Sequence, residues 1–172
     1  MSAPDLCLVA VNMKDSFLDI ANGMYLCPAT EGGFVPAHAH VPVKYMACCV
    51  QQGAKYIGEV IACVRLNRSQ PDEVLWKFGE DGDAELIVAA RAKQKISTSH
   101  QHPPCLVFLL GRMAGTDFVR DKAGGLQNSC VVFDLTDLAP ADLTDLAAKL
   151  RSVPWSALPR LKEKKVRTPA LA

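Results

Sequence analysis

The sequence lacks the features of secreted, membrane-spanning and disulfide-stabilised proteins. No apolar stretch reaches the roughly 20 residues that a membrane-spanning helix needs. The first residues, MSAPDLCLVAV, carry no basic segment ahead of an apolar one, so they do not match a signal peptide. The seven cysteines form no C-x-x-C pair and lie mostly within apolar runs. These absences predict a cytoplasmic protein with reduced, buried thiols.

The short motifs of common nucleotide-binding and hydrolytic enzymes are also missing. The chain has no phosphate-binding loop, no dinucleotide-binding glycine fingerprint and no nucleophile elbow. Cys48 and Cys49 lie within an apolar run, where a thiol is usually inert. The triplet Tyr56-Ile57-Gly58, with Arg65 after it, faintly resembles the hairpin of GIY-YIG nucleases. A non-catalytic protein without a cofactor is therefore favoured, and a metal-dependent hydrolase or nuclease is the alternative.

The sequence has no large excess of either charge, except for a basic segment near the C-terminus. The chain has 19 basic and 18 acidic residues, which leaves a net charge of +1. Residues 160–167, RLKEKKVR, carry a net charge of +4, so the preceding 159 residues sum to −3. A cationic surface over the whole protein is excluded. Binding to a polyanion would need a local patch or this tail.

The distribution of apolar runs predicts a mostly β, α+β domain of residues 1–153, followed by a basic, flexible tail of residues 154–172. Residues 44–50 and 56–66 are two apolar runs joined by a glycine-containing turn, which predicts a β-hairpin. A short helix is expected within residues 13–23 and a C-terminal helix within 140–152, and 114–129 is expected to be a long polar loop. Further strands are expected at residues 6–11, 24–28, 74–78, 105–113 and 130–135. Residues 85–96 fit a helix or a strand, and the Gly/Asp turn before them and the consecutive Leu86, Ile87 and Val88 favour a strand at 86–96. Strands outnumber helices without alternating regularly, which favours a small closed or half-closed barrel.

The hairpin region, VPVKYMACCVQQGAKYIGEVIACVRL, resembles the core hairpin of PUA-like β-barrels of the EVE, ASCH and YTH kind. The similarity lies in Pro42-x-x-Tyr45-Met46-Ala47 and in the strand Ile57-Gly58-Glu59-Val60-Ile61. It covers about 25 residues. The resemblance implies a nucleic-acid binding module, DNA or RNA, that often accepts a modified or flipped base in a pocket. An interaction module without a small-molecule site remains a third possibility.

Candidate binding residues follow from this hypothesis. If residues 86–96 form a strand, Arg91, Lys93 and Lys95 share one face and could contact phosphates together with arginines elsewhere. Aromatic residues of the strands could stack on bases, although such residues more often belong to the core. Lysines and arginines on a strand could equally be an ordinary solvated edge. The predicted nucleic-acid-binding residues are Tyr45, Arg65, Trp76, Arg91, Lys93 and Arg112, with Tyr56 and Arg120 as further candidates.

All four histidines lie in two similar stretches, AHAHVP and SHQHPP. Residues i and i+2 of an extended segment point the same way, so His38 with His40, or His100 with His102, could present two imidazoles to one ion. The two pairs together could complete a tetrahedral site, or Cys105 could join one of them. The surrounding prolines favour loops instead, and no carboxylate lies nearby to orient the imidazoles. We therefore predict that these loops bind no metal.

Overall fold

The computed structural model describes residues 7–12, 14, 16–31, 39, 41–50, 53–99, 101–121 and 130–161. Within them lie three α-helices: α1 (Phe17–Ala21), α2 (Asp83–Ile96) and α3 (Leu143–Leu150). The strands are β1 (Cys7–Asn12), β2 (Met24–Pro28), β3 (Tyr45–Val50), β4 (Gly53–Leu66), β5 (Glu73–Lys77), β6 (Cys105–Val119) and β7 (Val131–Asp134).

The strands form one mixed sheet in the order β2-β6-β4-β3-β1-β7, and β5 pairs with the C-terminal half of β4. β1 and β3 run parallel, and all other pairs are antiparallel. The sheet curls so far that its two outer strands come together. Tyr25 on β2 packs in one cluster with Val132 on β7 and with Cys130, which directly precedes β7. The fold is therefore the predicted α+β type, with a half-closed sheet at its centre.

Successive side chains of each strand point to opposite faces of the sheet, so the core is divided between these two faces. In β1, Cys7 and Val9 belong to a cluster that also contains Tyr25 and lines the concave face. Leu8 and Ala10 point to the convex face, where α3 covers one half of the sheet. Helix α2 covers the other half, over β2, β4 and β6. Both faces are thus buried over much of the sheet, which explains why the strands appear in the sequence as continuous apolar runs.

Most predicted elements are confirmed, including the hairpin. β3 and β4 pair antiparallel, from Tyr45 opposite Glu59 to Val50 opposite Gly53. The C-terminal helix is also present, but it begins three residues later than Pro140. Asp142 caps it, because its carboxylate accepts a hydrogen bond of 2.8 Å from the backbone N–H of Asp145.

The prediction of a strand at residues 86–96 was wrong, because this segment lies within helix α2. Leu86 and Ala90, one helical turn apart, are buried against the sheet, whereas Val88 is exposed. The consecutive apolar residues thus point around a helix axis. Acidic residues lie in the first turn and basic residues in the last, which suits the helix dipole. Residues two apart on a helix point in nearly opposite directions, so Lys93 points away from Arg91 and Lys95, which lie about one turn apart on one face.

The predicted loop at residues 114–129 was also partly wrong. β6 continues to Val119, because every second residue of this stretch packs against the α3 side of the sheet. Ala114 and Phe118 contact the core there, and the hydroxyl of Thr116 donates a 2.7 Å hydrogen bond to the carbonyl of Ala147. Residues 122–129 lie outside the described residues.

The chain stays packed on the sheet beyond residue 153, where the tail was predicted to start. A 3-10 helix at Trp155–Ala157 buries Trp155 against Phe118 and Phe133. The backbone of Arg160 then forms an isolated antiparallel β-bridge with Phe133, and the backbone N–H of Leu161 donates a 2.9 Å hydrogen bond to the carbonyl of Val132. Residues 160–161 therefore run alongside the edge strand β7.

Candidate functional site

The predicted cationic residues on α2 are held by intramolecular contacts. Arg91 makes a bidentate ion pair with Asp72, with both N–O distances at 2.7 Å, and donates a further hydrogen bond to the carbonyl of Asn67. Lys93 donates to the backbone carbonyl of Asn22, at the end of α1. Both side chains join α2 to neighbouring loops. Neither is placed to contact a phosphate without giving up that partner.

Arg65 and Arg112 lie on different faces of the sheet. The side chain of Arg65 is 13% exposed and forms an ion pair with Glu73. Within the described part of the chain, its Nε and Nη1 atoms are buried without a hydrogen-bond partner. Arg112 is largely exposed and donates to Glu59 over 2.9 Å, and this hydrogen bond raises the pKa of its guanidinium. These arginines therefore do not form a common phosphate-binding patch.

The two predicted stacking residues belong to the core. Tyr45 is 2% exposed and packs on the convex face among residues that contact α3. Trp76 is half-buried, and its ring lies edge-on to Phe108 with centroids 5.9 Å apart. Its indole N–H donates a 2.8 Å hydrogen bond to the carbonyl of Ala39. The ring of Tyr45 is closed to a base and Trp76 is held by these contacts, and the six predicted residues do not form one surface.

The metal hypothesis for the histidine pairs stays untested, because His38, His40 and His100 lie outside the described residues. His102 is described and exposed. Among the residues that the structure describes, no group of three or more histidine, cysteine or acidic residues is arranged to hold a metal ion.

The buried thiols are poorly suited to nucleophilic chemistry. Burial raises the pKa of Cys48 to about 12, and burial together with the neighbouring Cys48 thiol raises that of Cys49 to about 12. The thiolate is the reactive form of cysteine, and these groups are fully protonated near neutral pH. The sequence-based expectation that these two thiols are inert agrees with this environment.

The best candidate site is an exposed aromatic residue on the concave face. Tyr56 on β4 is 50% exposed. It lies opposite Cys48, whose side chain belongs to the concave cluster, and directly opposed residues of antiparallel strands share a face. The ring therefore extends the concave face beyond its buried part. An exposed tyrosine on a rigid strand offers a flat apolar surface for stacking.

A β-bulge places Lys55 beside this ring. Cys48 and Cys49 of β3 pair with Tyr56 and Ala54 of β4, so Lys55 is the extra residue. Its ammonium contacts Asp117 on β6 at 2.5 Å. Asp117 lies between Thr116 and Phe118, which both point to the convex face, so Asp117 and the end of the Lys55 side chain lie on the concave face. The bulge thus brings a cation and an aromatic ring, consecutive in sequence, to the same surface.

Exposed apolar side chains share this surface with Tyr56. The side chain of Met113 lies over Gly58, where an added Cβ would fall 2.4 Å from its sulfur. Gly115 lies directly opposite Tyr56 and leaves open space beside the ring, because an added Cβ there would meet no atom within 4 Å. We name this surface the Tyr56 face. It consists of Val50, Lys55, Tyr56, Met113, Asp117 and Val119.

The basic tail begins close to the same end of the sheet. Val50, Gly53 and Val119 pair at one end, and β1, parallel to β3, runs toward it. β7 runs away from this end, and residues 160–161 are antiparallel to β7, so they run back toward it. Leu161 packs against the concave cluster. Residues 160–161, after which the sequence continues as KEKKVR, therefore lie at the concave cluster and run toward the end of the sheet that carries the Tyr56 face.

Sequence reasoning missed Lys55, Met113 and Asp117 as members of a common surface. Tyr56 was recognised as a possible stacking residue but could not be distinguished from the buried Tyr45. Both are tyrosines in apolar strands. The one signal that separates them is the glycine-containing turn shortly before Tyr56, which places it near the end of the sheet.

No family model, curated protein or solved structure matches this chain. None of the helices within the described residues combines the length and the apolar character needed to cross a membrane. The geometry of the Tyr56 face is therefore the basis for the functional conclusion.

Proposed function

We propose that this protein binds single-stranded nucleic acid on the concave face of its sheet, with the ring of Tyr56 stacking on a base. The observation that carries this proposal is the half-exposed Tyr56 ring beside open space at Gly115. Unpaired bases expose their flat faces, and stacking on an aromatic side chain tolerates any base. Duplexes keep these faces stacked within the helix, so single strands are the favoured ligand class.

Two sources of positive charge support a polyanionic ligand at this position. Lys55 is the residue before Tyr56, so a nucleotide whose base stacks on Tyr56 could reach Lys55 with its phosphate if Lys55 leaves its ion pair with Asp117. The tail contributes five basic residues between Arg160 and Arg167. Electrostatic contacts of this kind supply most of the affinity in binding that does not depend on sequence. The small net charge of the protein is consistent with such local contacts.

Replacing Tyr56 with alanine is expected to weaken binding to a ten-nucleotide single strand about tenfold, because one base–aromatic stack contributes about 1–3 kcal/mol. Fluorescence anisotropy with labelled RNA and DNA single strands at low salt measures this. Tyr56→Phe keeps the ring and should bind like the wild-type protein. Phe17→Ala is the matched control, since Phe17 is 57% exposed but lies on α1.

The stacking hypothesis is rejected if the wild-type protein binds no single strand at low salt, or if Tyr56→Ala binds as tightly as wild type. Melting temperatures of all variants must be compared in parallel. Because Tyr56 is half-exposed, its removal should change stability little. A fall in affinity without a fall in melting temperature therefore reports on binding.

Deleting residues 162–172 is expected to flatten the salt dependence of binding. This deletion removes four basic residues, Lys162, Lys164, Lys165 and Arg167. Every phosphate that the tail no longer neutralises should reduce the slope of log affinity against log salt concentration by about 0.7 for a single strand. The loss of affinity should be similar for single strands of any base sequence, because contacts with phosphates do not distinguish between bases. An unchanged slope would show that the tail does not bind phosphates.

A further inference from the structure

The Lys55–Asp117 ion pair joins two strands on the Tyr56 face. The pair is 62 positions apart in sequence, and both side chains are largely exposed, at 67% for Lys55 and 48% for Asp117. Exposed ion pairs contribute little to folding stability. The Lys55–Asp117 pair therefore contributes little to the stability of the fold. The position of Asp117 does affect the binding of an anionic ligand to Lys55.

Asp117 opposes a polyanion in two ways. It occupies the Lys55 ammonium, which a phosphate must take from it, and its own carboxylate repels that phosphate. A ligand that offers only negative charge meets both obstacles and has no other interaction to compensate. A single-stranded nucleic acid also stacks on Tyr56, which is the adjacent residue, and stacking does not depend on charge.

We propose that Asp117 is a specificity-determining residue that restrains Lys55, so that polyanions lacking a stacking group bind weakly at the Tyr56 face. This inference rests on the proposed function and assigns a source of ligand specificity to the same surface. Discrimination between ligands often needs an element that disfavours the wrong one as well as contacts with the right one. Asp117 disfavours polyphosphates and similar chains, and Tyr56 recognises the base.

The variant Asp117→Asn should bind a single-stranded ten-nucleotide RNA two- to fivefold more tightly than the wild-type protein. Its affinity for inorganic polyphosphate of similar charge should increase by a comparable factor, so that a polyanion without a stacking group binds measurably. The salt dependence should steepen by about 0.7 in slope, since Lys55 becomes available to neutralise one more phosphate. Both affinities can be measured by competition against the same labelled RNA.

A double-mutant cycle shows whether Asp117 acts through Lys55. In a Lys55→Gln background, the steeper slope and most of the gain should disappear. Asp83→Asn is the matched control, because Asp83 pairs with Lys77 over 2.8 Å and is also exposed, but lies at the start of α2. It makes the same change in net charge away from the Tyr56 face and should leave both affinities unchanged.

Three results would overturn this inference: no gain in Asp117→Asn, an equal gain in Asp83→Asn, or a full gain that persists without Lys55. All three leave the proposed function intact, provided that Tyr56→Ala weakens binding. If the wild-type protein binds no single strand at low salt, the proposed function fails and the inference fails with it. The two failures are therefore distinguishable.

Discussion

Replacing Trp155 with alanine is expected to lower the free energy of unfolding by about 3–5 kcal/mol, the usual cost of truncating a buried tryptophan. The side chain is 2% exposed. Its ring stacks on Phe118 with centroids 5.4 Å apart and meets Phe133 edge-on at 5.1 Å. The residue thus joins the end of β6, the edge strand β7 and the chain after α3. Urea denaturation followed by circular dichroism measures the decrease, and Trp155→Phe should cost markedly less.

Truncation distinguishes the packed part of the C-terminus from the basic part. A chain ending at residue 153 should be destabilised at least as much as Trp155→Ala, because it also loses Leu158 and the bridge at Arg160. A chain ending at Leu161 should keep the stability of the full chain. If both truncated chains are as stable as the full chain, the packing of residues 154–161 contributes nothing and the prediction is wrong.

Replacing Asp19 with asparagine is expected to cost about 2 kcal/mol of stability near neutral pH, because hydrogen bonds to a charged group contribute about 1.5–3 kcal/mol. Asp19 on α1 is fully buried. Its carboxylate accepts hydrogen bonds from the hydroxyl of Ser97 at 2.6 Å and from the backbone N–H of Thr98 at 2.9 Å. These bonds tie α1 to the segment that follows α2.

The stability lost on replacing Asp19 with asparagine should decrease as the pH falls. Burial by itself raises the pKa of Asp19, but hydrogen bonds from Ser97, Thr98 and Ser99 outweigh burial and hold the pKa below its usual value. A lowered pKa in the folded state stabilises the protein at pH values above the pKa of the unfolded chain, about 4. This stabilisation is lost as the pH falls through the lower pKa of the folded state.

Urea denaturation at a series of pH values measures this effect. The difference in stability between the wild-type protein and Asp19→Asn should be largest above pH 4 and shrink in stronger acid. Glu80→Gln, at an exposed position, serves as the control for removing one acidic charge. A difference that stays constant across the whole pH range would contradict a charged Asp19 in the folded protein.

Local patterns were sufficient for most of the strands. The apolar runs around Val9, Ala47 and Val107 predict strands because both faces of the sheet are covered, by the concave cluster and by the helices. The same reasoning failed for α2, where three consecutive apolar residues, Leu86 to Val88, imitated a buried strand. In the structure this segment is a helix that buries Leu86 and Ala90 against the sheet. A run of consecutive apolar residues does not show which of them the rest of the fold will bury.

The sequence by itself determined the α+β class, the β3–β4 hairpin and the position of the C-terminal helix, because these depend on periodicity and turns between neighbouring residues. Only the tertiary structure decided which tyrosine is exposed. It also placed the bulge at Lys55, paired that residue with Asp117 and joined Asp19 to Ser97. Each of these features depends on strand register or on contacts between residues more than 60 positions apart, which local patterns do not specify.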